Sequence, residues 1–446
     1  MTDEAPNRFK NKVTAMKNTT RLIALVLTCI AATVASCALA QDWPQWRGPN
    51  RDGKVSGFNA PKTWPKELTQ KWKVTVGEGV ATPALVGDRL YVFARQEGNE
   101  IVRCLDAATG KELWQEKYEA LGADGPARPF SGPRSSPAVA NGKVVTLGVR
   151  GMLSCLDAAT GKKLWRKDDF KAYPRFHPSS SPIIVDGLCI AQLGGQDNGA
   201  IVAYDLASGD EKWKWSGPSP AYASPALLTV GGMKLIIAQT ETKMVAVGAS
   251  DGKLAWEASA APQGGGGRGG MGDYKAATPI VDGQTIISTG RGMKAVEIEK
   301  QSDGLAAKEL WSNAETSVQF NTPVLKNGLL FGLTQGNELF CINAQNGQAA
   351  WAAPLGQADG GSPPGGGGRG GRGGRGGGFG SIVDAGSVLL ALTPSSELIV
   401  FQPSEKAYTE LARIKVANTP THAHPVASGN RIFIKDQDSV TLWTID

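Results

Sequence analysis

The chain has 446 residues, 41% of them apolar and 20% charged, with 57 glycines and 26 prolines. That composition is ample for a buried core and favours many turns, which excludes an architecture of long helices. The formal net charge of +6 falls to +3 without residues 1–40 and to about −1 without the four arginines of two glycine tracts (Arg268, Arg369, Arg372, Arg375), so no basic surface for nucleic acid is implied by bulk charge.

Residues 1–40 read as a signal peptide. Arg8, Lys10, Lys12, Lys17 and Arg21 precede an apolar run from Leu22 to Ala40 that ends in the small-x-small pattern Ala38-Leu39-Ala40. Cleavage after Ala40 is the favoured reading. Val34-Ala35-Ser36-Cys37 is an alternative lipid-attachment signal, and contact with a membrane is expected only if Cys37 is lipidated. Either way the chain is exported, to the periplasm or an equivalent compartment. Residues 41–67 form a lead-in segment whose Trp43, Trp46 and Trp64 are expected to pin it across the base of the fold.

From residue 68 onward the chain repeats itself, and repeats decide the fold. Cys104-Leu105-Asp106-Ala107-Ala108-Thr109-Gly110-Lys111-Glu112-Leu113-Trp114 recurs as Cys155-Leu156-Asp157-Ala158-Ala159-Thr160-Gly161-Lys162-Lys163-Leu164-Trp165. Weaker copies run from Asp205 through Gly209 to Trp213, from Asp251-Gly252 to Trp256, and from Asn343 through Gly347 to Trp351, with a stretched copy ending at Trp311. The aspartate suits a tight turn because its carboxylate accepts backbone N–H groups, and the glycine suits positive φ. The tryptophan falls on the outermost strand, where its face can wedge against the neighbouring unit.

A second marker opens each unit: Thr82-Pro83, Ser136-Pro137, Ser181-Pro182, Ser224-Pro225, Thr278-Pro279 and Thr322-Pro323, continued by Gly380-Ser381-Ile382 and Ala423-His424-Pro425. Eight openings predict an all-β chain folded as an eight-bladed β-propeller over residues 68–446, with seven blades as the alternative if the Ser381 unit is degenerate. The last unit has only three strands, and Leu68 to Val74, with Trp72 at the outer-strand position, is expected to supply the fourth. Pairing of N- and C-terminal strands would then close the ring and leave no exposed sheet edge. The cysteines in this body (Cys104, Cys155, Cys189, Cys341) include no CxxC and no adjacent pair, and read as small buried side chains.

With its Leu-Asp-Ala-Ala-Thr-Gly-Lys-Glu-Leu-Trp phrase, the chain resembles the pyrroloquinoline-quinone-like (PQQ-like) propeller repeat family. The segment Asp42 to Gly53 resembles the mature N-terminus of exported PQQ-like proteins of planctomycete-type bacteria. The resemblance implies two classes of relative: quinoprotein dehydrogenases, and the non-enzymatic propeller lipoprotein of the outer-membrane barrel-assembly machinery. The first would imply PQQ with Ca²⁺ as cofactors, a Glu/Asn/Asp calcium site and an aspartate base. Here no vicinal cysteines and no haem-attachment motif occur, and Asp106, Asp157 and Asp205 occupy turn positions that capping explains. The reading is therefore a non-enzymatic, monomeric binding or scaffold module without cofactor or metal, with outer-membrane protein assembly as its specific version and a PQQ-dependent oxidoreductase as the alternative.

Propellers bind ligands at a funnel mouth where the innermost strands begin. The residue three before each opening proline, or its equivalent, is Val80, Arg134, Ser179, Tyr222, Ala276, Phe320, Phe379 or His422. Of these Arg134, Tyr222, Phe320, Phe379 and His422 form the candidate rim, suited to a protein or peptide partner, or to carbohydrate. Aromatic faces would pack the ligand while Arg134 pairs with its carboxylate or carbonyl. His422 and His424 lie two residues apart, yet no third metal ligand is identifiable, so both read as caps of the last blade. The Gly/Arg-rich insertions at 263–272 and 359–380 are too poor in apolar side chains to pack. The second resembles an Arg-Gly-Gly box, but export disfavours nucleic acid as its partner. Deleting residues 365–377 is expected to leave the thermal midpoint nearly unchanged; a large drop in a melting experiment would mean that the tract is part of the folded core.

Overall fold

The computed structural model describes residues 42–55, 57–259, 275–302, 304–355 and 379–445. The signal peptide with Cys37, the 263–272 insertion and all but the last two residues of the 359–380 insertion lie outside the described residues. Gln41–Asp446 forms one compact unit, so the lead-in belongs to the same body as the blades.

Eight four-stranded antiparallel sheets make up the propeller. Blade 1 contains Ala84–Val86, Arg89–Gln96, Asn99–Asp106 and Glu112–Glu119, ordered from the axis outward as in the chain. Blade 2 runs from Ala138–Ala140 to Lys163–Lys167, blade 3 from Ile183–Val185 to Glu211–Gly217, and blade 4 from Ala226–Val230 to Leu254–Ser259. Blade 5 runs from Ile280–Asp282 to Gly304–Asn313, blade 6 from Val324–Lys326 to Ala349–Pro354, and blade 7 from Ser381–Asp384 to Glu410–Lys415. The Ser381 unit is thus a full blade. Blade 8 joins Val426–Ser428, Arg431–Lys435 and Ser439–Thr444 to Thr69–Thr75, with Trp72 opposite Leu442. Both ends of the chain share one sheet, and the ring closes as the terminal strands predict.

In every blade the outermost strand carries a β-bulge at the same place, one residue before the tryptophan position. A bulge adds local twist and re-aims the next side chain. Here it turns the indole into the seam with the following blade. Trp114 Nε1 donates to Ala158 O at 3.2 Å, and the Trp72, Trp165, Trp213 and Trp311 indoles reach Ala107, Leu206, Ala249 and Ala344 carbonyls in the same way. Blade 7 has Ala412 at this position, opposite Val400.

Five of the indoles rest on the turn glycine of the next blade. Gly161 has φ +74°, and a Cβ there would come within 2.5 Å of the Trp114 ring. Gly110 meets Trp72, Gly209 meets Trp165, Gly252 meets Trp213 and Gly347 meets Trp311 with the same closeness. The sequence pairing of Gly and Trp therefore acts between blades: the Trp of one blade needs the Gly of the next. Asp106 and Asp157 hold the turn by accepting from Thr109 and Thr160 N–H and Oγ1. Trp351 has no glycine opposite and donates to Ser404 O at 2.8 Å.

Near the axis the seams close differently. At five seams the Ser or Thr before the opening proline accepts a hydrogen bond from the backbone N–H of its counterpart in the preceding blade. Thr82 N donates to Ser136 Oγ, Ser136 N to Ser181 Oγ, Ser181 N to Ser224 Oγ and Thr278 N to Thr322 Oγ1, at 2.9 to 3.1 Å. His424 N donates to Thr82 Oγ1 at 3.0 Å, which links the last blade to the first. The proline itself sits on the innermost, edge strand, where its missing N–H is no loss to the sheet.

The lead-in segment plugs the axial channel and touches all eight blades. Trp43 pairs with Leu85 of blade 1, Pro44 O accepts from Val139 N of blade 2, and Gly53 and Val55 bracket Asp384 of blade 7. Trp46 Nε1 donates to Thr278 Oγ1 ahead of blade 5 and its ring meets the edge of His424 ahead of blade 8 at 4.8 Å. Arg51 donates to Pro225, Pro182 and Ser181 carbonyls of blades 4 and 3 at 2.8 to 3.1 Å, and Arg47 to Thr322 and Pro323 carbonyls of blade 6 at 2.8 Å. Both arginines are buried and both sit at positive φ, 60° and 58°. Burial pushes the guanidiniums down, to about 10 for Arg47 and about 9 for Arg51, so both stay charged at neutral pH.

The glycine shelf is testable. Gly252→Ala places a Cβ within 2.4 Å of the Trp213 ring at φ +67° and is expected to cost about 2–4 kcal/mol. Gly87→Ala, at φ +57° with open space around it, should cost only about 1 kcal/mol. Urea unfolding of the two variants should separate them; equal midpoints would mean that the indole contact contributes nothing.

Candidate binding funnel

Each predicted rim position lies just ahead of an innermost strand, so the ring brings all eight to one end of the axis. Val80, Arg134, Ser179, Tyr222, Ala276, Phe320, Phe379 and His422 line a single cavity of about 290 Å³. Trp46 of the plug forms its floor, and Phe130 and Phe176 from the connections after blades 1 and 2 complete its wall. These three were not among the residues expected from the repeat. A signal was present: the longer step between Pro83 and Pro137 marks the insertion that carries Phe130.

Aromatic rings form a continuous arc. Phe320 stacks on Phe379 at 4.3 Å and 13°, Phe379 meets the edge of His422 at 5.2 Å, and His422 meets Phe130 at 5.2 Å. Across the cavity Phe176 packs edge-on against Tyr222 at 5.8 Å, and the Tyr222 hydroxyl accepts from Phe176 N. The rings are half-buried, which leaves part of each face toward the cavity.

Arg134 departs from its expected role of pairing with a ligand. Its guanidinium donates to the backbone carbonyls of Phe130 (2.8 Å), Ala127 (3.3 Å) and Phe176. It ties the short 3₁₀ turn Gly125–Phe130 to the Phe176 loop and so positions two rim aromatics. The reason is local: carbonyls at loop ends need donors, and the guanidinium fork supplies several from one place. Burial lowers its pKa to about 10, and it remains charged.

The histidines do not form a metal site. His422 is part of the aromatic arc, while His424 is buried beside Trp46 and Arg47. His177 lies elsewhere, between Val149 O and Asp124 Oδ1 at 3.0 Å each, and supports the loop behind the rim. Among the described residues no carboxylate or thiol lines the cavity. Cys104, Cys155, Cys189 and Cys341 are free and buried, and among the described residues no group of three or more His, Cys, Asp or Glu could hold a metal. The described residues of this wall therefore do not supply the hard-oxygen ligand set that calcium needs, and the one cation among them is engaged by backbone carbonyls. These residues do not fit PQQ with Ca²⁺. They do fit an uncharged, apolar or aromatic group.

The family model described as outer membrane protein assembly factor BamB matches residues 98–353, more than half of the chain. Among curated proteins the chain is 28% identical to a quinohemoprotein alcohol dehydrogenase of Comamonas testosteroni over 193 residues, 41% of this chain but 26% of that protein. It is 22% identical to the BamB of Shewanella oneidensis over 294 residues, 63% of this chain and 69% of that one. The chain thus spans about a quarter of the dehydrogenase. Among solved structures, BamB of Moraxella catarrhalis superposes with a TM-score of 0.56 at 16% identity, covering 84% of this chain and 99% of that one; at that identity the likeness speaks for the fold alone.

Burial makes the funnel acid-sensitive. It holds the His422 imidazole down to about 4, and burial, with the Arg47 charge beside it, depresses His424 well below the usual imidazole range. A base depressed in the fold binds its proton in the unfolded chain first, so stability is complete above about pH 6.5 and declines as pH falls toward 4. For His422 the loss should reach about 2–3 kcal/mol at pH 4. His422→Phe should flatten that part of the slope in urea midpoints taken at pH 7 and pH 4 while keeping the aromatic arc. An unchanged slope would place the acid sensitivity elsewhere.

Proposed function

The chain belongs to the PQQ-like propeller family described as outer membrane protein assembly factor BamB, and on that footing we propose that it is an exported, monomeric, non-enzymatic binding module that takes a segment of a partner protein in its aromatic funnel. The observation that carries the proposal is the character of that cavity, whose described residues give it seven aromatic or imidazole rings, no carboxylate, and a single arginine committed to the rim loops. Such a wall can desolvate apolar side chains of a partner, as the buried centres of protein interfaces do. Among the described residues it offers no carboxylate and no group of three or more His, Cys, Asp or Glu that could hold a metal. Assembly of outer-membrane proteins, in the periplasm and at the outer membrane, is the specific version that the BamB relatives favour.

A PQQ-dependent oxidoreductase is the second reading, favoured by the match to the Comamonas dehydrogenase over 193 residues. The missing calcium ligands in the funnel weigh against it. The two readings separate in one set of measurements. The tagged full chain, recovered from envelope extract, should retain a protein partner that the Tyr222→Ala/Phe320→Ala variant loses. Incubation with PQQ and Ca²⁺ should give neither bound chromophore nor dye reduction. Partner recovery unchanged by the double substitution would remove the funnel as the interface, and PQQ-dependent dye reduction would favour the enzyme.

A further inference from the structure

The connection from blade 1 to blade 2 is anchored at its two ends. Ala120 N donates to Gly98 O at 3.0 Å, and Pro133 O accepts from Val80 N and Ala81 N at 2.8 and 3.1 Å. Between these anchors the loop bonds to itself, with Ala123 N on Ser131 O at 2.9 Å and Ala127 N on Asp124 O at 3.1 Å. Among the described residues no backbone–backbone hydrogen bond joins residues 121–132 to another part of the chain. A compact loop whose ends meet and whose middle lacks ladder bonds opens more readily than the sheets beside it. Its apolar contact is small: Ala123 and Ala127 pack with Val149, and Phe176 lies against them. Leu121 is exposed.

Side chains of blade 2 and its flanking segments hold this loop instead. Arg150 Nη2 donates to Gly122 O and Asp124 Oδ2, both at 2.8 Å, and Arg134 reaches the Ala127 and Phe130 carbonyls. His177 meets the same aspartate. Its Nδ1 faces Val149 O, which only accepts, so Nδ1 carries a proton. Nε2 then accepts from Asp124 N at 3.2 Å when the ring is neutral, or donates to Asp124 Oδ1 at 3.0 Å when it is charged. Both protonation states therefore close the same contact. Tyr173 stacks on the His177 ring at 4.6 Å and its hydroxyl accepts from Arg150 Nη1, which fixes both side chains. Arg150 foremost, and His177 with it, hold the Asp124 carboxyl below the usual carboxylate range, so it is ionised at neutral pH.

We propose that residues 121–132 form a lid on the funnel, latched at Asp124, and that a partner segment enters when the latch opens. The loop carries Pro126, Ala127 and Phe130 of the funnel wall. Lifting it takes the Phe130 ring off Phe379 and His422, at 6.0 and 5.2 Å, and leaves the rest of the aromatic arc in place. Gly132 suits a hinge, because the chain there lies against its neighbour so closely that a Cβ would come within 2.3 Å of Glu78 O. The Asp124 side chain is 68% exposed, and ion pairs at an exposed carboxylate are weak in water. The latch can therefore open without disturbing the sheets. Entry of a partner rests on the reading of the funnel as a binding site; the lid itself does not.

Hydrogen exchange of the full chain, followed by mass spectrometry, tests the lid without any ligand. Amides of residues 121–132 should exchange well before those of the strands Asn99–Asp106 and Lys143–Leu147. Asp124→Ala should speed them several-fold at an unchanged melting temperature, and Asp124→Asn, which keeps an acceptor without the charge, should fall between. Entry is read by stopped-flow fluorescence with N-phenyl-1-naphthylamine, a neutral apolar dye. Its association should be several-fold faster in Asp124→Ala, and the Tyr222→Ala/Phe320→Ala variant should lose the dye. Residues 121–132 exchanging as slowly as the strands, or no faster in Asp124→Ala, would overturn the lid. Dye association unchanged by Asp124→Ala would overturn its control of entry. Absence of dye binding would remove the funnel as an apolar site and the entry role with it, while the exchange rates still decide the lid.

Discussion

A ring of eight sheets turns one edge strand of each sheet toward a common axis, where its outward backbone groups have no neighbouring strand to pair with. The structure meets this constraint with the chain's own lead-in segment. Between Trp43 and Val55 it adds backbone pairs to blades 1, 2 and 7 and sends two guanidiniums into the carbonyls of blades 3, 4 and 6. Arginine suits that task because it carries several donors, no acceptor, and a planar fork that reaches two strands at once. The positive φ at Arg47 and Arg51 is held because each side chain is tied to blades far apart in sequence. The funnel depends on the same plug, since Trp46 is its floor and stands on Thr278 and His424.

Around that plug, the blades are joined by two contacts repeated at different radii. Close to the axis a serine or threonine hydroxyl accepts the backbone N–H of the preceding blade. Far from it an indole lies on the bare Cα of a glycine and donates to a carbonyl beyond. The outer contact needs a particular residue on both sides of the seam and the inner one a hydroxyl on one side, which ties the repeats to one another. Where one partner is altered the geometry gives: Ala412 replaces the indole in blade 7, and Ser404 replaces the shelf for Trp351.

The end of the axis opposite the plug carries one cation, Arg134, and no carboxylate among the described residues. Its imidazole is held uncharged by burial, its arginine is saturated by rim carbonyls, and its remaining walls are rings and small side chains. The BamB relatives and the dehydrogenase relatives share the propeller, so the fold alone does not separate recognition from catalysis. The side chains of this particular funnel speak for recognition.

Local sequence determined the architecture almost completely. Asp106, Gly110 and Trp114 repeat at fixed spacing because turn, bulge and outer strand are local structures, and seven strand-opening prolines, with Gly380-Ser381-Ile382 as the eighth opening, count the blades because edge strands tolerate proline. The terminal strands announced closure for the same reason: three strands at one end and one at the other make a single sheet. Even the ring around the funnel was legible, since symmetry maps one repeat position onto one end of the axis. Tertiary structure alone decided the rest, because it rests on contacts with no periodicity. Arg134 reads as a ligand anchor until the carbonyls of Ala127, Phe130 and Phe176 fold over it. Nothing along the chain marks Arg47 and Arg51 as buried; only the closed ring surrounds them. Which glycine supports which indole is likewise invisible along the chain, because each pair spans two blades and exists only once the blades stand side by side.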